Sequence, residues 1–323
     1  YTSYQARVLA EHLEVAADVI GDLVFRPLLR EEDLALERNV ILEEIGMMED
    51  TPDDLVFELH NARLWGDHPY GYSILGTRDT VGRLGVDELR ALHGRAYHPG
   101  RVIVAASGRI EHDALVDALE RAGWGREAPR DATPLGARPP VTAAPAYEHR
   151  ADRSLAQVPV VFGARTVPRV DPRRTPLALV GMLLGGGMSS RLFQKVREEQ
   201  GLAYSVHSFQ SFHVDAGVHG VYFASAPETA RRAAESVREE LAALAAGGLP
   251  SAELEAGKRQ LKGQVTLSLE GLTTRMYRAA GVEIYDEPFR DLDAVLAEID
   301  AVTEADVRAV CAEFFAPERH TVL

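Results

Sequence analysis

The sequence is poor in cysteine: one thiol, Cys311, is all that 323 residues provide. An internal disulfide framework and a four-cysteine zinc site are both excluded. No apolar run is long enough to cross a bilayer. Positive charge is short as well, since 35 Lys and Arg against 49 Asp and Glu leave a formal −14. A surface of that sign repels phosphate backbones and anionic lipid, so neither nucleic acid nor a membrane is an expected partner. Several catalytic signatures are missing. Gly185, Gly186 and Gly187 are not followed by Gly-Lys-Ser/Thr, so they form no phosphate loop. No Gly-x-Ser-x-Gly elbow occurs, and the 11 histidines contain neither HExxH nor HxxEH. His60, His68, His207, His213 and His219 therefore read as core or surface side chains rather than ligands. The scarcity of cysteine points to the cytoplasm.

What is present suits two domains. Residues 125–146 carry prolines at 129, 134, 139, 140 and 145 and read as a linker between a domain at 1–124 and another at 147–323. The two sides share a pattern. "LREEDLALERNVILEE" (29–44) aligns with "LPSAELEAGKRQLKGQ" (249–264) at an offset of 220. "VDELRALHGRAYHPGRVIV" aligns with "EADVRAVCAEFFAPERHTV" at an offset of 218. Two matches at nearly one offset indicate an internal repeat. The repeat places the start of the first copy about seventy residues before Tyr1, so that copy is expected to be truncated.

Strand-like runs are "RVIVAAS", "QVPVVFGAR", "AYSVHSFQSF" and "GVHGVYFAS". Amphipathic periods mark helices over 6–25 and 228–245. Short turns such as Asp215-Ala216-Gly217 favour antiparallel pairing. The expected fold class is α+β: two homologous domains, each an antiparallel sheet with helices on one face.

Two constellations carry possible chemistry. In "ERNVILEEIGMMED", Glu37 and Glu44 lie seven residues apart and share a helix face with Val40, Ile41 and Met48. Carboxylates avoid an apolar stripe unless their charge is taken up. A solvated face paired with Arg30 or Arg38 would take it up, and so would a metal ion. Two helical turns span about 10–11 Å, so one ion would use one acid, with the other orienting the site. At the 220 offset these acids face Gly257 and Gln264, so the fold does not require them. The second constellation is "LLGGGMSSRLFQKVREEQGLAYSVHS". There Gly185–Gly187 form a flexible turn and Ser189 or Ser190 can cap the next helix, which ends at Gly201. Arg197, in the last helical turn, and Tyr204, at the start of the next strand, could donate to a carbonyl or oxyanion, or else serve the helix dipole and a strand edge.

Together these stretches resemble the pitrilysin/insulinase family of zinc metallopeptidases, the inverzincins, in its smaller processing-peptidase branch. The resemblance runs over essentially the whole chain and is carried by "YTSYQARVLAEHL", "ERNVILEEIGMMEDTPDDLVFELHNARLWGDHPYGYSILGT", "YHPGRVIVAASG" and "LGGGMSSRLFQKVREEQGLAYSV". It implies that Glu44 is a zinc ligand and that Glu37 supports the site. It also implies that Arg197 and Tyr204 hold substrate, beside a glycine loop at Gly185, Gly186 and Gly187. The family's HxxEH motif, which holds two histidine ligands and the general base, is not in this sequence; family spacing places it roughly three dozen residues before Tyr1. The implied cofactor is Zn2+. The implied partners are a peptide substrate and a second subunit, identical or related. The implied activity is endopeptidase cleavage inside a dimeric chamber, with the printed chain inactive by itself. The alternative is a non-catalytic relative serving as partner or scaffold.

Overall fold

The computed structural model describes residues 1–126, 141, 143–150 and 155–323. In chain order the helices are α1 (Leu13–Phe25), α2 (Glu31–Asp50), α3 (Pro52–Trp65), α4 (Arg78–Arg83), α5 (Val86–Ala96) and α6 (His112–Arg121). They continue with α7 (Arg174–Gly185), α8 (Pro227–Gly247), α9 (Ser251–Ser268), α10 (Leu272–Ile284), α11 (Leu292–Ala301) and α12 (Glu304–Phe314). The strands are β1 (Val158–Thr166), β2 (Ser205–Phe212), β3 (Gly217–Ser225) and β4 (Thr321–Val322). The repeat is visible in these limits. Helices α2 and α9 start 220 residues apart, and α5 and α12 start 218 apart. Helices α3 and α10 follow the first offset.

The chain forms two compact units, each assembled from separated segments. One comprises 1–46, 75–137 and 269–286; the other comprises 47–74, 138–268 and 287–323. The first unit therefore contains α10 from the second copy, and the second unit contains α3 from the first. Most of the expected linker, residues 127–140 and 142, lies outside the described residues.

The second unit holds the sheet, in the order β2-β3-β1-β4 with every pairing antiparallel. One face is packed by α7, α8 and α12, where Phe162, Val221 and Phe223 meet Leu177, Val237, Leu241 and Phe314. The α+β class is met, with two differences in detail. Helices were expected on one face only, yet α3 covers the other, setting Val56 and Phe57 against Val161, Tyr222 and Ala224. The cause is in β1 and β3. Both are apolar on both sides, and a strand of that kind needs cover on both. Tyr222 donates its hydroxyl to Asp53 at the start of α3. Gly163 is glycine because His60 of α3 lies where a Cβ would go.

The second difference concerns the expected sheet of the first domain. "RVIVAAS" forms no strand, and among the described residues of the first unit there is none. Its counterpart in the second copy, Thr321–Val322, pairs with β1. An extended run becomes a strand only where another offers its hydrogen bonds.

The first unit is built on α1 and α6. Ala17 and Gly21 face Trp124, whose indole N–H donates to the Ala17 carbonyl at 2.9 Å. Phe25 meets the same indole edge-to-face at 5.0 Å. Helix α1 starts later than the periodicity suggests, with a short 3-10 turn at Ala10–His12 before it. Ahead of that turn, Ser3 and Tyr4 bond to the hydroxyls of Tyr277 and Tyr97.

Candidate functional site

Helix α2 is favoured by Glu31, Glu32 and Asp33 in its first turn, where carboxylates complement the helix dipole. It buries only Ile45. Glu37 and Glu44 are exposed, and of the apolar residues on their face Val40 is 50% exposed while Ile41 and Met48 are half-buried. The arginines that could neutralise them are engaged elsewhere. Arg30 holds Asp33 at 2.8 Å. Arg38 donates to the carbonyls of Val81 and Leu84 at 3.3 and 2.7 Å. Neither Glu37 nor Glu44 has an ion partner among the described residues. The helix is regular throughout, so the two carboxylates stand about 10 Å apart along its axis and cannot both reach one ion.

A catalytic zinc ion needs three protein donors and an open position. Among the described residues no three His, Cys, Asp or Glu side chains are grouped to hold a metal. Glu44, exposed and unpaired, fits one corner of such a site; the described residues do not complete it.

Arg197 and Tyr204 belong to the second unit, and here the structure does bring predicted residues together. Arg197 lies in a π-helical segment, Phe193–Glu199. Gly201 follows with φ +60°, a left-handed conformation that glycine adopts without strain, and the chain reverses toward β2. The guanidinium carbon of Arg197 ends 4.6 Å from the ring centroids of both Tyr204 and Phe193. Tyr204 stands just before β2 and is 76% exposed. The pair thus presents N–H and O–H donors to solvent.

The glycine run is more constrained than expected. Gly185 closes α7 and abuts the backbone of Ser208 in β2, while a Cβ on Gly186 would sit 2.7 Å from the Met182 carbonyl oxygen. Only Gly187 has open space around it. Ser190 does not cap the next helix by side chain; its hydroxyl donates back to the Gly187 carbonyl at 2.6 Å.

One cluster had no local signal. His60 of α3, His219 of β3 and His320 beside β4 are all buried in the second unit. Their ring nitrogens lie 3.0–3.1 Å from the carbonyl oxygens of Thr321, Phe314 and Ala316. A carbonyl only accepts, so those nitrogens carry the protons. That leaves His60 Nδ1 and His320 Nε2 buried without a partner among the described residues. Burial pushes His60 and His219 down to about 4. His320 falls to about 3, through burial first and the charge of His219 next. These residues come from places 101 or more apart in sequence, so no spacing rule could find them. They lock elements together and remain neutral.

Comparison with known proteins agrees with this picture. The family profile described as "Peptidase M16 inactive domain" matches residues 83–261, and "Insulinase (Peptidase family M16)" matches residues 1–78. The chain is 39% identical to an uncharacterized zinc protease of Streptomyces coelicolor, over 96% of this chain and 68% of that one. It is 35% identical to the zinc protease YmxG of Bacillus subtilis, over 98% and 76%. In fold it resembles a peptidase M16 inactive domain from Pseudomonas fluorescens (TM-score 0.85, 21% identity, 96% of this chain and 74% of that one). A protease from Helicobacter pylori is similar (TM-score 0.83, 18% identity, 98% and 77%). No described helix is long and apolar enough to cross a membrane. The repeat, the free acids of α2 and the arginine–tyrosine pair thus sit in a chain that belongs to peptidase family M16, the insulinase family.

Proposed function

We propose that this chain acts as part of a zinc-dependent endopeptidase. Glu44 supplies one zinc ligand, beside two histidines of an HxxEH motif that this sequence does not contain. Glu37, one step outside the ion, supports the site. A zinc ion bound there supplies a polarised water. Arg197 and Tyr204 donate to the substrate's carbonyl oxygen and steady the negative charge that develops on it. Gly185, Gly186 and Gly187 border the substrate path, with Gly187 the one free to adjust. The working form is a dimer, of identical or related subunits, enclosing a peptide in a chamber.

The observation that carries this reading is the pair of exposed carboxylates without partners on α2, at positions where the repeat has Gly257 and Gln264. Stability gives no reason to keep them. The test is Glu44→Gln in the full-length protein, followed by metal analysis and hydrolysis of an internally quenched peptide. Zinc and cleavage should be lost together; an unchanged zinc stoichiometry refutes the ligand.

A second reading is a non-catalytic subunit that partners an active peptidase or a larger complex. The match of residues 83–261 to a profile named for an inactive domain supports it. A full-length protein that binds no zinc, and whose Glu44→Gln variant is indistinguishable from it, would select this reading.

A further inference from the structure

An arginine is flexible, and one that must meet a substrate carbonyl gains from being held in place. Arg197 also has a competitor beside it, since Glu198 Oε1 lies 3.5 Å from its Nε. Two rings oppose that pull. The centroids of Phe193 and Tyr204 are each 4.6 Å from the guanidinium carbon, a distance at which a cation is drawn to a ring face. The backbone sets up both contacts. The π-helical segment puts Phe193 and Arg197 within one wide turn, a geometry found often at functional sites. Its end is closed by the Leu202 amide donating to the Val196 carbonyl at 2.9 Å, and the reversal at Gly201 returns Tyr204 to the same guanidinium.

Phe193 is not needed to fill the core. Its neighbours Leu192 and Val196 are fully buried and do that, whereas Phe193 is only half-buried. Its ring is therefore free for another task. We infer that Phe193 is a positioning residue: with Tyr204 it keeps the Arg197 guanidinium from closing further on Glu198, 3.5 Å from its Nε, and presents its N–H edge to a peptide carbonyl or carboxylate. This rests on the reading of Arg197 as a substrate contact.

The experiment is steady-state kinetics of the full-length protein on an internally quenched peptide that it cleaves. Phe193→Met and Phe193→Leu, two replacements of similar volume, should lower kcat/KM about threefold, with kcat falling. Phe193→Tyr should behave as the parent. Adding Glu198→Gln to Phe193→Leu should return kcat/KM toward the parent value, because the competitor is gone; a purely structural role for the ring predicts no such rescue. In an Arg197→Ala background the Phe193 replacements should have no further effect. Failure of the Glu198 rescue, or unchanged kcat/KM in both Phe193 variants while Arg197→Ala lowers it, overturns the inference alone. Unchanged kinetics in Arg197→Ala overturn the reading beneath it.

Discussion

Helices α2 and α9 start at equivalent places in the two copies of the repeat and meet opposite surroundings. Helix α9 buries Leu254, Gly257 and Lys258, and Gly257 presses on Leu183 so closely that a Cβ would sit 2.6 Å from Leu183 Cδ1. At the same register α2 carries Glu37, exposed, and buries Ile45 alone. Two turns further on, Glu44 and Gln264 are exposed in both copies. Local signals make both helices, but the neighbour decides which face must be apolar. Where no neighbour presses, stability is indifferent to the residue, and chemistry is free to choose it. On the proposed reading the acids of α2 serve the site, whereas Gly257 of α9 serves packing.

The largest effect that would sharpen the comparison is acid sensitivity of the second unit, which holds most of the second copy. His320 stands where the first copy has Val102, and His60 and His219 join it in the core. All three are held below their ordinary range, at about 3 to 4. The unfolded chain takes up protons near 6.5 while the folded chain does not. Stability is therefore complete above pH 6.5 and is lost as pH falls toward 4. With three such groups the slope approaches about 4 kcal/mol per pH unit. Trp65 lies in the second unit and Trp124 in the first. Urea titrations of a Trp124→Phe variant thus report the second unit alone. His60→Gln should remove about a third of that slope; an unchanged slope breaks the assignment.

An exchange of residues between the copies comes next. Gly257→Glu puts a charged side chain against Leu183 and should cost about 4 kcal/mol, from overpacking and an unpaired buried carboxylate. Glu37→Gly removes an exposed side chain and should cost no more than the helix propensity of glycine, about 1 kcal/mol. Equal costs in urea unfolding would show that the two faces are not different after all.

A third pair contrasts ion pairs at matching positions. Glu253 of α9 receives two bonds from Arg191, at 2.7 and 2.6 Å, with both side chains mostly covered. Its counterpart Asp33 holds the solvent-exposed Arg30. Glu253→Ala leaves Arg191 without its bidentate partner and should destabilise by about 2 kcal/mol. Asp33→Ala should produce no resolvable change in the unfolding midpoint.

Much of this was legible from residues alone. The equal offsets of α2 with α9 and α5 with α12 follow from matching caps and apolar periods, which are local. Strands β1, β2 and β3 were placed within a few residues because their alternation and turns are local too. The helix end at Gly201, with Arg197 before it and Tyr204 after it, is local as well; the contact between the two side chains is seen only in the structure. Other features depend on partners far along the chain. "RVIVAAS" has the composition of a strand and no ladder to join. The place of α3 on the second face of the sheet depends on β1 and β3, more than a hundred residues later. The histidine cluster is assembled by tertiary packing alone, and Phe193 acquires its contact only because the helix widens into a π turn.

The smallest test concerns the caps that start the paired helices α5 and α12. In the second copy Thr303 accepts from the Asp306 amide at 3.1 Å, and Asp306 accepts from the Thr303 amide at 2.9 Å. The first copy keeps half of this exchange: Glu88 accepts from the Gly85 amide at 2.8 Å, but Gly85 has no side chain to return the bond. Thr303→Ala should therefore cost about 1 kcal/mol. Gly85→Ser should gain a few tenths, roughly the difference between serine and glycine at an N-cap. Its backbone, at φ −110° and ψ 165°, suits any residue, and a Cβ there meets nothing closer than Glu88 Oε2 at 3.7 Å. A serine that destabilised the first unit, followed by Trp124 fluorescence, would mean that α5 is not started as α12 is, and the match between the copies would fail where it is otherwise closest.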